Sequence, residues 1–166
     1  PLPGSGAPPP AAPMSAAAPL GVAPAAAAAA ATASVRATVF LAETTSDVRE
    51  AREALRRDLQ QHGYRVLPER AVPHEADEAR AVVREDLEQA RLSLHLFGRN
   101  YGIVPEGATE SIAALQYELA TERAAAGRFA RLHWIAPGLQ VDDARQKALL
   151  ERLRIDLVQW RDRFTA

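Results

Sequence analysis

Beyond residue 35 the chain alternates short apolar runs with longer stretches whose apolar residues recur every three or four positions. The runs at 37–41 (ATVFL), 64–67 (YRVL), 92–97 (LSLHLF) and 132–136 (LHWIA) are too short for core helices and predict strands. In the third run, which reads as a buried strand, Leu92, Leu94 and Leu96 alternate with Ser93, His95 and Phe97. Between the runs, Val48, Ala51, Leu55 and Leu59 keep helical spacing after an expected cap at Asp47, and Gly63 marks the helix end. Ala79, Val82, Val83, Leu87 and Ala90 predict a second helix over 78–90. Ile112, Leu115, Leu119 and Arg123 lie on one stripe of a third helix, which Gly127 closes. Asp142 or Asp143 caps a fourth helix carrying Ala148, Leu149 and Leu153, and 155–160 (IDLVQW) reads as a fifth strand.

Strands alternating with helices predict an α/β protein with a parallel sheet and right-handed crossovers. Five strands in this length suggest a flavodoxin-like three-layer fold, order 2-1-3-4-5, with its site in the crevice at the carboxyl ends of the strands. The stretch 91–126 then organises the chain, because it supplies a strand, the loop leaving that strand's carboxyl end, and the helix after it.

Residues 1–34 break the pattern. They are mostly Pro, Ala, Gly and Ser, hold no charged side chain before Val35, and predict a flexible linker ahead of a single domain at 35–166. The first residue is Pro rather than Met, so the chain is expected to be part of a longer one with a further domain. Lys+Arg is 20 against Asp+Glu 21, which gives no electrostatic reason to expect nucleic acid or a membrane surface as partner. The absence of Cys removes disulfides, thiolate metal sites and Cys nucleophiles, and fits a cytoplasmic protein. No run is long and apolar enough for a membrane helix.

Known chemical signatures are scarce. The first strand-to-helix turn contains no glycine, so the dinucleotide fingerprint and the P-loop are both absent, and there is no G-x-S-x-G nucleophile elbow. His62, His74, His95 and His133 have no metal-ligand spacing, so no metal is expected. Trp134 and Trp160 read as core residues. Glu118 alone would be an ordinary surface helix residue.

What changes its standing is the company it keeps. VFLAETTSD (39–47), GYRVLPE (63–69), VREDLEQARLSLHLFGRNYG (83–102), Ser111 and QYEL (116–119) stand in an order and spacing that resembles a bacterial Toll/interleukin-1 receptor (TIR) domain or its divergent relatives, over about residues 36–160. In that resemblance the loop 68–77 corresponds to the BB loop, 98–101 to an S-x-x-Y segment, and Ser111 with 116–119 to the W-C-x-x-E-L helix. Four departures stand out. Ala114-Leu115 replace Trp-Cys, Gly98 replaces the Ser, the BB-loop glycine is missing at His74-Glu75-Ala76, and the loop from Gly98 to Thr109 is longer than in many TIR domains.

The resemblance implies an NAD+ glycohydrolase that cleaves the nicotinamide–ribose bond, with Glu118 as the catalytic carboxylate and NAD+ as substrate rather than cofactor. One anion suffices for such chemistry, because nicotinamide leaves as a neutral group while the ribose gains oxocarbenium character. By the same alignment Glu43, Thr44, Thr45 and Ser46 line the nucleotide pocket, Phe97, Arg99 and Tyr101 wall the ribose side, and Ser111 neighbours Glu118. The resemblance also implies activation by self-association and a role in prokaryotic defence or signalling. Two alternatives stand beside it: a non-catalytic interaction module assembling through the BB loop and helices, and, more weakly, a nucleoside glycosyltransferase.

Overall fold

A computed structural model describes residues 35–164 of the chain, with side chains as far as Asp156; the expected linker at 1–34 lies outside the described residues. Four strands, β1 (Thr38–Leu41), β2 (Arg65–Leu67), β3 (Leu92–Phe97) and β4 (Ala130–Ile135), form one parallel sheet in the order β2-β1-β3-β4. Four helices accompany them: α1 (Arg49–Gln61), entered through a single 3-10 turn at Ser46–Val48, α2 (Ala76–Gln89), α3 (Ile112–Ala125) and α4 (Ala144–Phe164). The α/β class, the parallel sheet and the central position of β1 and β3 all follow the sequence pattern.

The fifth strand does not exist among the described residues. Residues 155–160 continue α4, which runs unbroken from Ala144 to Phe164. No Gly, Pro or Asn separates Leu153 from Ile155, so nothing stops a helix already nucleated by its buried Leu149, Leu150 and Leu153. A six-residue apolar run without a breaker ahead of it is ambiguous, and here the preceding helix decides it.

The two faces of the sheet are covered unequally. On one face, Phe40 and Leu67 pack with Ala79, Val83 and Leu87 of α2 and with Ile112, Leu115 and Leu119 of α3. Further along that face, Phe97 meets Ala114 and Tyr117 of α3 and Leu149, Leu150 and Leu153 of α4. The other face carries Leu41, Val66 and Leu96, with Leu55 and Leu59 of α1 against them. Among the described residues only α1 lies on that side, and Leu132 and Trp134 of β4 are 52% and 46% exposed. Trp134 is therefore not the core residue its type suggested; Trp160 has no described side chain.

His95 is a buried member of the α3-facing row of β3. Its Nε2 lies 3.0 Å from Ser93 Oγ, and its ring stacks edge-on against Tyr117. Burial, helped by the charge of Arg131 and by His133, pushes its pKa from 6.5 down to about 3. An unfolded His takes a proton near pH 6.5 while the folded one refuses it until about pH 3, so stability is lost as pH falls through that window. The expected slope is up to about 1.4 kcal/mol per pH unit. His133, whose pKa burial also lowers, acts in the same direction. Urea midpoints between pH 7.5 and 4 measure the slope, and His95→Phe should flatten it.

Candidate functional site

The open crevice lies where a parallel sheet places it, at the carboxyl ends of β1 and β3. A cleft of about 280 Å3 is lined by the loop Glu43–Ser46, Arg49 at the start of α1, Asn100 and Gly102 from the loop after β3, and the first residues of α3. Polar bonds hold its walls. The Thr44 hydroxyl donates to Leu96 O at 2.9 Å, and the Thr45 hydroxyl donates to Asp47 Oδ1 at 2.6 Å. Asp47 makes no cap bond to α1, where its spacing had placed it. Its Oδ2 accepts the Arg99 N–H at 2.7 Å instead, which ties the first-strand loop to the third-strand loop. Burial works against this carboxylate, and the hydrogen bonds from Thr45 and from the Arg99 and Asn100 backbones outweigh it, leaving its pKa lowered.

That tie explains Gly98. A Cβ at this position would lie 2.7 Å from Asp47 Cγ, closer still to Oδ2, and 3.0 Å from Val48 Cγ1. Gly98 is thus the steric counterpart of the Asp47 clamp. The Gly98 carbonyl is held in turn by Gln146 of α4, whose Nε2 donates to it at 2.6 Å.

The α3 side chain that meets the first-strand loop is Gln116. Its Oε1 accepts the Glu43 N–H at 2.9 Å, and its Nε2 donates to Glu43 O at 3.3 Å and to Ile112 O at 3.1 Å. Gln116 is completely buried, and sequence reasoning passed over it. One signal was present: it occupies the face of α3 that carries Ile112, Leu115 and Leu119, where an apolar residue belongs.

Glu118 lies elsewhere. Successive helix residues are about 100° apart, so Glu118 is turned some 200° from Gln116 and points away from the cleft. It pairs with Arg152 of α4 at 3.1 Å, with side-chain exposures of 35% and 55%, in a groove of about 570 Å3 between α3 and α4. The neighbouring Glu110 carboxyl is pushed up by a hydrogen bond with Glu118, by burial and by the Glu118 charge. The expected contact of Glu118 with the 42–46 loop is absent. Ser111, its expected neighbour, is buried and caps α3 by accepting the Ala114 N–H at 3.3 Å. Glu122, one turn on, pairs with Arg84 at 3.4 Å.

The remaining expected residues divide between the core and a second hollow. Phe97 is buried, its ring edge-on to Tyr117 with centroids 5.7 Å apart. Arg99 and Tyr101 face a polar hollow of about 490 Å3 on the far side of the 98–102 ridge, where the Arg145 guanidinium lies 4.6 Å over the Tyr101 ring. Of the eight expected ligand-contacting residues, only Glu43, Thr44, Thr45 and Ser46 come together in the cleft.

The loop between β2 and α2 is fastened on two sides. The Val72 N–H donates to Glu43 Oε1 at 2.8 Å, and Glu106 exchanges backbone bonds with His74 and Ala76 at 2.8 and 3.0 Å. The Glu43 carboxylate is therefore already engaged as a loop anchor. The other polar residues that line the cleft include Ser46, Arg49 and Asn100, residue types suited to holding an anionic group. Among the described residues no group of three His, Cys, Asp or Glu is arranged to hold a metal ion, and no helix is long and apolar enough to cross a membrane.

No curated protein and no solved structure matches the chain. One family model matches residues 38–152, a span that runs from the first residue of β1 into α4 and includes the whole cleft. The chain belongs to the family described as a domain of unknown function, DUF4062.

Proposed function

We propose that this domain is a non-catalytic interaction module of the TIR-like type. In this reading the cleft at the carboxyl ends of β1 and β3 receives an anionic ligand such as NAD+ without cleaving it. The observation that carries the reading is the face α3 turns to the first-strand loop. It presents Gln116, a neutral side chain engaged at both ends, while Glu118 is paired with Arg152 outside the cleft. With Glu118 outside the cleft, the carboxylate that the resemblance assigns to the ribose is not there to stabilise oxocarbenium character. What remains is a rigid crevice whose walls are clamped by Asp47, Gln116 and Gln146, and which offers Arg49 and Asn100 to a phosphate.

A glycohydrolase reading has one foothold, the Glu43 carboxylate at the cleft wall. Its Oε1 already accepts the Val72 N–H, so it would have to act through its other oxygen. The experiment fuses the chain to a trimerising partner, to supply the high local concentration that assembly requires, and follows nicotinamide release from NAD+. No release above a protein-free control is expected. Release that Glu43→Gln abolishes and Glu118→Gln does not would replace the module reading with hydrolysis at Glu43.

A further inference from the structure

Helix α1 buries a single one of its 13 residues, and that residue is an arginine. Val48, Leu55 and Leu59 lie against Leu41, Val66 and Leu96 of the sheet, and Arg52 takes the helical step between Val48 and Leu55 on the same stripe. Its exposure is 8%. An arginine is seldom buried unless it is paired, and the Glu53 carboxylate that Arg52 meets at 2.8 Å is 43% exposed. Burial and the charge of Arg56 push the Arg52 pKa down, against the pull of Glu53 and Glu43. An apolar side chain in this place would avoid that desolvation. Departures of this kind from local pattern are expected at sites where geometry matters more than stability.

The other donors of the guanidinium go to the backbone. Nε donates to Ala42 O at 2.7 Å and Nη2 to Leu41 O at 3.1 Å, so the fork closes on the carbonyls at the end of β1. The Ala42 carbonyl and the Glu43 N–H belong to one peptide unit, and Gln116 Oε1 accepts that N–H at 2.9 Å. This peptide is therefore gripped by its carbonyl from α1, on one face of the sheet, and by its N–H from α3, on the other. It is the first peptide of the cleft wall. Its orientation aims the Glu43 carboxylate at the Val72 N–H, 2.8 Å away, and so fastens the loop between β2 and α2. One turn further along α1, Arg56 donates from Nη1 and Nη2 to Pro68 O, each at 3.3 Å, where that same loop begins. Arg52 itself is not among the residues that line the cleft.

We propose that Arg52 is the positioning residue of the cleft: it fixes the Ala42–Glu43 peptide, and through it the wall at 43–46 and the tie to Val72, without touching a ligand. This inference rests on the reading of the cleft as a ligand site and deepens it. Both grips on the peptide are needed. Held by Gln116 alone, the peptide keeps one hydrogen bond and can rotate about it, which swings the Glu43 carboxylate off Val72. A ligand then meets a wall that it must first order, and that ordering lowers affinity. Lysine cannot stand in for Arg52, because an ammonium on a flexible stem has no planar fork to hold two carbonyls in a fixed relation.

Arg52→Met and Arg52→Lys, made in the full 166-residue chain, test this. Titration calorimetry with NAD+ is expected to show both variants binding about tenfold or more weakly than wild type. Leu87→Val, a core truncation in the last turn of α2, should lower the melting temperature and leave that affinity unchanged. Amide exchange reads the wall without a ligand. The Glu43 and Val72 N–H groups should exchange about tenfold faster in both Arg52 variants, with the amides of β3 at their wild-type rates. Unchanged exchange at Glu43 and Val72, or acceleration spread evenly over β3, would overturn the proposal. So would undiminished NAD+ affinity in either Arg52 variant, or an equal loss of affinity in Leu87→Val. Failure here is separable from failure of the functional reading: wild type that binds no NAD+ removes the ligand reading, while the exchange rates still decide the role of Arg52.

Discussion

Gly98→Ala is expected to lower stability by about 3 kcal/mol, an unusually large effect for one added methyl group. The new Cβ would lie 2.7 Å from Asp47 Cγ and 3.0 Å from Val48 Cγ1, so one of the two loops must move. If Asp47 yields, the protein loses the charge-assisted bond to the Arg99 N–H, typically about 1.5–3 kcal/mol, and the bond from Thr45 with it. If the 98–100 segment yields, the Gln146 bond to Gly98 O is pulled out of place instead, leaving a buried amide without its acceptor. In thermal melts the loss should appear as a drop of about 10 °C for a domain of this size. Asp47→Ala alone should cost about 2 kcal/mol. The double variant should cost far less than the sum, because truncating Asp47 vacates the space the new methyl needs, and a double-mutant cycle reads that coupling directly.

Gln116→Leu is expected to be comparably damaging, although it replaces a buried polar side chain with an apolar one of similar size. It strands the half-buried N–H and C=O of Glu43 and the Ile112 carbonyl, at about 1 kcal/mol or more for each group left without a partner. Gln116→Glu separates the two ends of the amide. It keeps an acceptor for the Glu43 N–H, but it turns a carboxylate toward the carbonyls of Glu43 and Ile112. That carboxylate has a raised folded-state pKa, so its penalty is largest above that value and shrinks as acid protonates it and restores a donor. Urea unfolding at pH 7 and pH 5 should therefore bring Gln116→Glu toward wild type in acid, while Gln116→Leu stays equally far below it. Equal behaviour of the two variants would mean that the amide acts only by filling space.

How far the sequence carried these conclusions differs from element to element. Strands β1 to β4 and their helices were legible because short branched runs and 3.6-residue spacing are local signals, and β3 emerged with the bounds 92–97 expected of it. The end of α4 was not legible: IDLVQW has strand composition, and only its attachment to an unbroken helix decides its state. The exposure of Trp134 was invisible for a different reason, since burial depends on which faces the helices cover and not on residue type.

For the candidate site, the loop 43–46 lines a cleft because a parallel sheet places its crevice at the end of β1. The identity of the helix residue facing that loop was not found. Glu118 and Gln116 are two positions apart, and on a helix a shift of two positions is close to half a turn. A carboxylate attracts notice and a glutamine does not, yet burial beside Ile112 and Leu115 marked Gln116 as the inward residue. The Asp47 clamp was likewise hidden by its plausibility as a cap. Its partner, the Arg99 N–H, is 52 residues away and carries no sequence signal except the glycine beside it.

On the proposed reading Glu118 stands outside the cleft and does not act on a nucleotide there. The most direct measurement is nicotinamide released from NAD+ by wild type and Glu118→Gln, each held at high local concentration by the same trimeric fusion. Both traces are expected to coincide with the protein-free control, and the two proteins to differ in stability by no more than about 1 kcal/mol because the Glu118–Arg152 pair is partly exposed. Nicotinamide release by wild type that Glu118→Gln abolishes, with the fold intact, would contradict it.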